Sequence, residues 1–193
     1  MSADVLDRDF RVVHPRPRTR TPVIPSEIFA TLVFVFTEVM FFSGFVSAHS
    51  ITRANWPMWP PPGQPRLPVE ATAFNTAVLV TSGVLVYLAG KRRSTGLLTG
   101  GVIAGAWFLL AQGWEWVGLV REGLTFWSSN HGAFFYLIVG MHGMHVAIGL
   151  GVLAWLRLRL GKGSLGDHAF TAGRLYWYFV VLLWPVLYWR VYL

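Results

Sequence analysis

Apolar side chains in this chain come in five long runs, and the stretches between them hold nearly all of its charge. A run of about 20 apolar residues, at about 1.5 Å per residue, is long enough to cross the hydrocarbon core of a bilayer as a helix. The pattern predicts spans at about 26–49, 71–90, 94–120, 130–161 and 168–193. Ser26 followed by Glu27 reads as an N-cap with an acid in the first turn. Residues 1–25 read as a separate arm, acidic at Asp4, Asp7 and Asp9, then basic at Arg11, Arg16, Arg18 and Arg20. Pro15, Pro17, Pro22 and Pro25 forbid a regular helix there. The arm reads as a flexible tail, or as a strap for a partner or anionic headgroups. No apolar segment with a cleavage site precedes the first span, so insertion is expected to rely on that span. The stretch ITRANWPMWPPPGQPRLPVE (51–70) reads as a stiff loop, with Trp56 and Trp59 at headgroup level.

Of the 193 residues, 54% are hydrophobic, and these are concentrated in the runs, which makes the class an all-α membrane protein with five transmembrane helices. The formal charge of +7 invites a nucleic-acid reading. The basic residues flank the runs instead, as orientation signals do, so no nucleic-acid partner is expected. Twelve Lys and Arg fall in the arm, the second loop and the fourth loop region, and four on the opposite side. That split predicts a cytoplasmic N-terminus and a periplasmic C-terminus, and it agrees with an odd number of crossings. Cysteine is absent, so no disulfide or thiolate site exists.

The candidate chemistry lies in titratable groups at mid-depth. Glu38 falls near the centre of span one, and His142 and His145 near the centre of span four. A charge isolated at that depth costs roughly 2.5–3.5 kcal/mol on insertion scales, so these groups are expected to face each other and share a proton. His142 and His145, three apart, are expected on one helix face. Glu115 lies about 12 Å further along the membrane normal, and Arg121 or a group on span one or four is its expected partner. Glu38, Glu115, His142 and His145 are thus the expected buried polar network. A metal held by the two histidines and two glutamates is the sharper alternative. The usual two-metal pattern needs Glu-x-x-His on two helices, and this chain has none. Gly44 with Ala48, Gly101 with Gly105, and Gly140, Gly143 and Gly149 mark expected close helix contacts.

At these residues the chain resembles subunit III of the haem–copper terminal oxidases, the cytochrome c and quinol oxidases. FVFTEVMFFSGFVSAH (34–49) looks like the family's first shared helix, with Glu38 at its buried glutamate. FNTAVLVTSGV (74–84) is similar to its LNTxxLLxSG stretch. AQGWEWVGLVREG (111–123) resembles its Q-x-x-E-[WY] region, with Glu115 in the glutamate position. GMHGMHVAIG (140–149) matches THGxHVxxG except that Met141 replaces the threonine. Order and spacing agree over roughly 165 residues, the whole membrane part. Span five departs: in YWYFVVLLW (176–184), Tyr178 and Val181 stand where the family has histidine and aspartate.

The resemblance implies a divergent five-helix, non-catalytic accessory subunit of a proton-pumping respiratory oxidase in a bacterial inner membrane. It implies oxidase subunit I as the surface it packs on, with subunit II or other respiratory subunits nearby. It also implies structural phospholipids in a cleft, support of oxygen access and proton uptake, and no cofactor in this chain, with haem and copper in partner subunits. Two other readings are a subunit III-like component of a nitric oxide reductase or respiratory supercomplex, and an autonomous membrane metalloenzyme using Glu38, His142 and His145.

Overall fold

The computed structural model describes residues 24–193, so the 1–25 arm lies outside the described residues but for its last two. Five helices follow one another: α1 (Ser26–Ala54), α2 (Val69–Arg92), α3 (Thr95–Arg121), α4 (Asn130–Gly161) and α5 (Asp167–Tyr192). All five are long and apolar enough to cross a membrane, as the runs predicted. Every backbone polar group inside a bilayer needs an internal partner, which is why apolar runs of this length fold as helices. The loops 55–68 and 122–129 share one end of the bundle, called the upper end below. The short connections 93–94 and 162–166 share the other, called the lower end.

Local chemistry sets the ends. Ser94 Oγ accepts from Leu97 N (3.4 Å) and caps α3, and Ser129 Oγ accepts from Gly132 N (3.1 Å) and caps α4. Ser26 is not a cap. Pro25 occupies that position, and Ser26 is the first helical residue, its hydroxyl 3.4 Å from Glu27 Oε2. The first helix also runs five residues beyond His49. Between His49 and Pro57 there is no Gly or Pro to stop it, and the Ser50 and Thr52 hydroxyls fold back onto the Val46 and Ala48 carbonyls. Arg93 closes α2 in the left-handed conformation (φ 50°), which is uncommon for a side chain with a Cβ. Its guanidinium pairs with Asp167, tying the end of α2 to the start of α5.

Around the bundle, α2 packs along α3, and α5 lies against α1, α2 and α4. Among the described residues α1 touches only α4 and α5. Polar ends of aromatic side chains on α5 lace it to its neighbours. Trp184 Nε1 donates to Thr76 Oγ1 (2.8 Å), Tyr188 to Val69 O (3.0 Å) and Tyr176 to His145 O (3.1 Å). Without a hydrophobic drive between helices in lipid, such bonds and close packing hold the bundle. Pro185 sits inside α5 and removes the intrahelical donor to the Val181 carbonyl.

Small residues admit large ones. The two glycines of α3 face different helices: a Cβ on Gly101 would lie 2.7 Å from Val86 of α2, and one on Gly105 would lie 2.8 Å from Trp177 of α5. Gly149 of α4 meets the other edge of the same indole, at 2.7 Å. Gly143 and Gly140 lie against Trp116, at 3.4 and 3.8 Å. Gly44 departs from the expectation, since nothing lies within 4 Å of its Cβ position. That face of α1 turns away from the bundle.

Gly132 is the tightest of these places made by backbone. A Cβ there would lie 2.2 Å from the Thr125 carbonyl oxygen, so the 122–129 loop would have to move. Gly132→Ala is expected to lower stability by about 1–3 kcal/mol, the range for overpacking. Gly151→Ala, where nothing lies within 4 Å, should be neutral or slightly stabilising. Thermal unfolding of the two variants side by side checks this.

Candidate functional site

The buried polar groups gather in separate places along the bundle, and each is assembled from different helices. The first joins α1 to α4 at mid-depth. His145 is buried, and its Nδ1 lies 2.7 Å from the Met141 carbonyl one turn earlier. A carbonyl only accepts, so Nδ1 carries a hydrogen and Nε2 is left for the neighbouring helix. Nε2 lies 3.1 Å from Glu38 Oε2, an ion-pair approach rather than an aligned hydrogen bond. With one more proton between them the pair is neutral, whether that proton sits on the ring or on the carboxyl. Phe42 and Phe179 set their rings at steep angles to the imidazole.

His142 does not join that pair. Successive helix positions turn by about 100°, so a residue three earlier lies about 60° round the axis. That offset sends His142 toward α3 and α5, where its ring stacks on Trp184 at 4.9 Å and meets the edge of Phe108. It is fully buried, and neither ring nitrogen has a hydrogen-bond partner among protein groups. The expectation that both imidazoles share Glu38 is thereby corrected. Among the described residues no three His, Asp or Glu side chains converge as ligands.

The second place surrounds Glu115, toward the upper end between α2, α3 and α5. Asn75 Nδ2 lies 2.8 Å from Oε1, and Thr72 Oγ1 and Gln112 Nε2 lie 2.9 and 3.0 Å from Oε2. Gln112 also donates to the Tyr192 hydroxyl (3.0 Å). The expected partner was Arg121 or a group on span one or four; the groups that bond Glu115 stand on α2 and on α3 itself, with Tyr192 of α5 reached through Gln112. The NT of FNTAV and the EATA before it carried the signal, since Thr72, Asn75, Thr76 and Leu79 recur at helical spacing.

A third place was not foreseen. Loop residue Trp59 reaches between His49 of α1 and His131 of α4, with ring centroids 5.5 and 5.0 Å apart and steep interplanar angles. Both imidazoles are buried, and none of their four ring nitrogens has a protein partner. The only sequence signal was a pair of histidines at span ends beside a Trp- and Pro-rich loop.

Apolar surface frames these groups. A groove of about 850 Å³ runs between α1 and α5, lined by Leu32, Val35, Val39, Phe42, Phe179 and Leu183 among others. Ser50 and Arg190 stand at its upper end. Tyr178 also lines it, with a hydroxyl that has no partner. Val181 turns inward onto α2, its Cγ1 3.0 Å from where a Cβ of Gly83 would be. A carboxylate there would lie in a notch filled by a methyl.

Comparison with known proteins gives these residues a context. The sequence model of a family described as "Cytochrome c oxidase subunit III" matches residues 20–193. The chain is 33% identical over 174 residues to the probable cytochrome c oxidase subunit 3 of Nocardia farcinica, covering 84% of this chain and 85% of that one. It is equally identical, with the same coverage, to the Mycobacterium tuberculosis protein of that name. To cytochrome c oxidase subunit 3 of Pelomedusa subrufa it is 33% identical over 189 residues, covering 89% of this chain and 71% of the relative.

Proposed function

The chain belongs to the cytochrome c oxidase subunit III family, and from that premise we propose how its bundle serves the respiratory complex. It is an accessory oxidase subunit, a multi-pass membrane protein that assembles with other oxidase subunits. Its work is to stabilise subunit I, where the haem and copper reside, to hold phospholipid along α1 and to support oxygen and proton access. The membrane is a bacterial inner membrane, with the lower end on the cytoplasmic side. Lys91, Arg92, Arg93, Arg157, Arg159 and Lys162 support that orientation.

The observation that carries this reading is the α1–α5 groove beside the Glu38–His145 pair. The groove is apolar along its length and has the volume for acyl chain, and a cation, Arg190, stands where a headgroup phosphate would sit. The pair pins α1, the most exposed helix, to α4 without leaving a net charge in oil.

Glu38→Ala and His145→Ala are each expected to cost the bundle roughly 1–2 kcal/mol, the upper part of the range for interhelical polar contacts in membranes. The purified oxidase should start at a near-normal rate and then inactivate several-fold sooner, with less phospholipid retained. Oxygen-consumption traces and lipid analysis on the same preparations measure both. An assembled variant with no initial turnover would instead place the pair in the reaction itself.

A further inference from the structure

A cavity of about 130 Å³ lies where α3, α4 and α5 meet, lined by Gln112, Trp116, His142 and Trp184, with Gly140 and Gly143 at one side. Three of these side chains carry polar atoms that are buried and have no protein partner: Gln112 Oε1, Trp116 Nε1 and both ring nitrogens of His142. Gln112 and His142 are more than nine-tenths buried.

The donors and acceptors around the cavity are balanced. Gln112 Nε2 donates to Glu115 and to Tyr192, and an amide oxygen turned toward the carboxylate would be repelled. That contact fixes the flip of the amide and leaves Oε1 as an acceptor facing away from Glu115. Trp116 Nε1–H is a donor only. A neutral imidazole supplies one donor and one acceptor, and His142 has no neighbour that would hold a second proton on it. The residues that carry these two donors and two acceptors line one cavity, and none of the four atoms bonds another. A molecule that donates twice and accepts twice fits that set. A hydrocarbon tail or a dissolved gas fits its size but satisfies none of the four.

We propose that this cavity binds a small cluster of ordered waters that joins His142, at mid-membrane, to the Glu115–Tyr192 network through Gln112. The volume suits roughly three or four waters at about 30 Å³ each. Buried waters usually make about three hydrogen bonds each; the lining offers four otherwise unpaired groups, and the waters bond one another for the rest. The cluster extends the polar network of the upper half down to the centre of the bundle. It is separate from the Glu38–His145 pair, which Phe42 and Phe179 enclose.

The test is a structure of the intact oxidase in lipid nanodiscs, at a resolution where surface waters are seen. Discrete density peaks within hydrogen-bond reach of Gln112 Oε1, Trp116 Nε1 and a His142 ring nitrogen are expected. In Trp116→Phe, which keeps the ring packed on Gly143 but removes the donor, the peak nearest residue 116 should be lost. The peak at Gln112 should stay. A featureless cavity in a map that resolves waters elsewhere overturns the proposal. So does continuous density entering as a lipid tail, or an unchanged set of peaks in Trp116→Phe.

Discussion

Trp177→Ala is expected to lower the stability of the bundle by about 3 kcal/mol. The indole is fully buried and wedged between two glycines on different helices, Gly105 of α3 and Gly149 of α4. In water the cost of such a truncation has a transfer part and a cavity part. In a bilayer the transfer part nearly vanishes, because an exposed indole meets lipid rather than water. The cavity part remains. Truncation vacates roughly 140 Å³, and at about 24 cal/mol per Å³ of unrelaxed cavity this gives about 3 kcal/mol. The glycines cannot close the gap, since neither has a side chain to move into it. Trp189→Ala, on the same helix but 65% exposed, should change little. Thermal unfolding of both, followed by circular dichroism, separates buried volume from loss of an aromatic residue as such. Equal shifts for the two variants would sink the packing account.

Glu115→Leu is the second large effect, expected at about 2–4 kcal/mol. The leucine has similar size, so packing is not the main loss. Asn75 would keep a buried amide with its acceptor removed, at about 1–3 kcal/mol, and Gln112 would lose one of its two acceptors and keep Tyr192, at about 1 kcal/mol. Glu115→Gln retains an oxygen for one of these amides and should cost under half as much. A direct readout is the yield of assembled oxidase on mild-detergent extraction: near normal for the glutamine variant, strongly reduced for the leucine variant. If leucine is tolerated as well as glutamine, the cluster is not what holds α2 against α3.

The five spans were legible because apolar runs bounded by charge are a strong signal, and their ends moved by at most five residues. The depth match of Glu38 and His145 was legible too, since counting residues along a helix gives height in the membrane. Azimuth was not. These helices are apolar nearly all round, so the polar stripe that tells which face meets which neighbour is missing. That is why the partner of Glu115 was sought on the wrong helices, why His142 was assigned to the Glu38 side, and why Gly44 was read as a contact. The edge-on His49–Trp59–His131 cluster was hidden for another reason: it needs a loop to fold back between two span ends, and loop paths leave no periodic trace.

The neighbours of α1 also bear on the order in which the molecule is made. Its contacts are with α4 and α5, yet ribosomes deliver it first. More than a hundred residues separate the end of α1 from the start of α5, on the order of ten seconds of translation at about 5–20 residues per second. For most of that interval the newborn segment carries Glu38 in the bilayer with His145 not yet synthesised. Helices α2 and α3, joined by two residues, are able to pair at once. Of the five helices, the first to be made is therefore the last to settle.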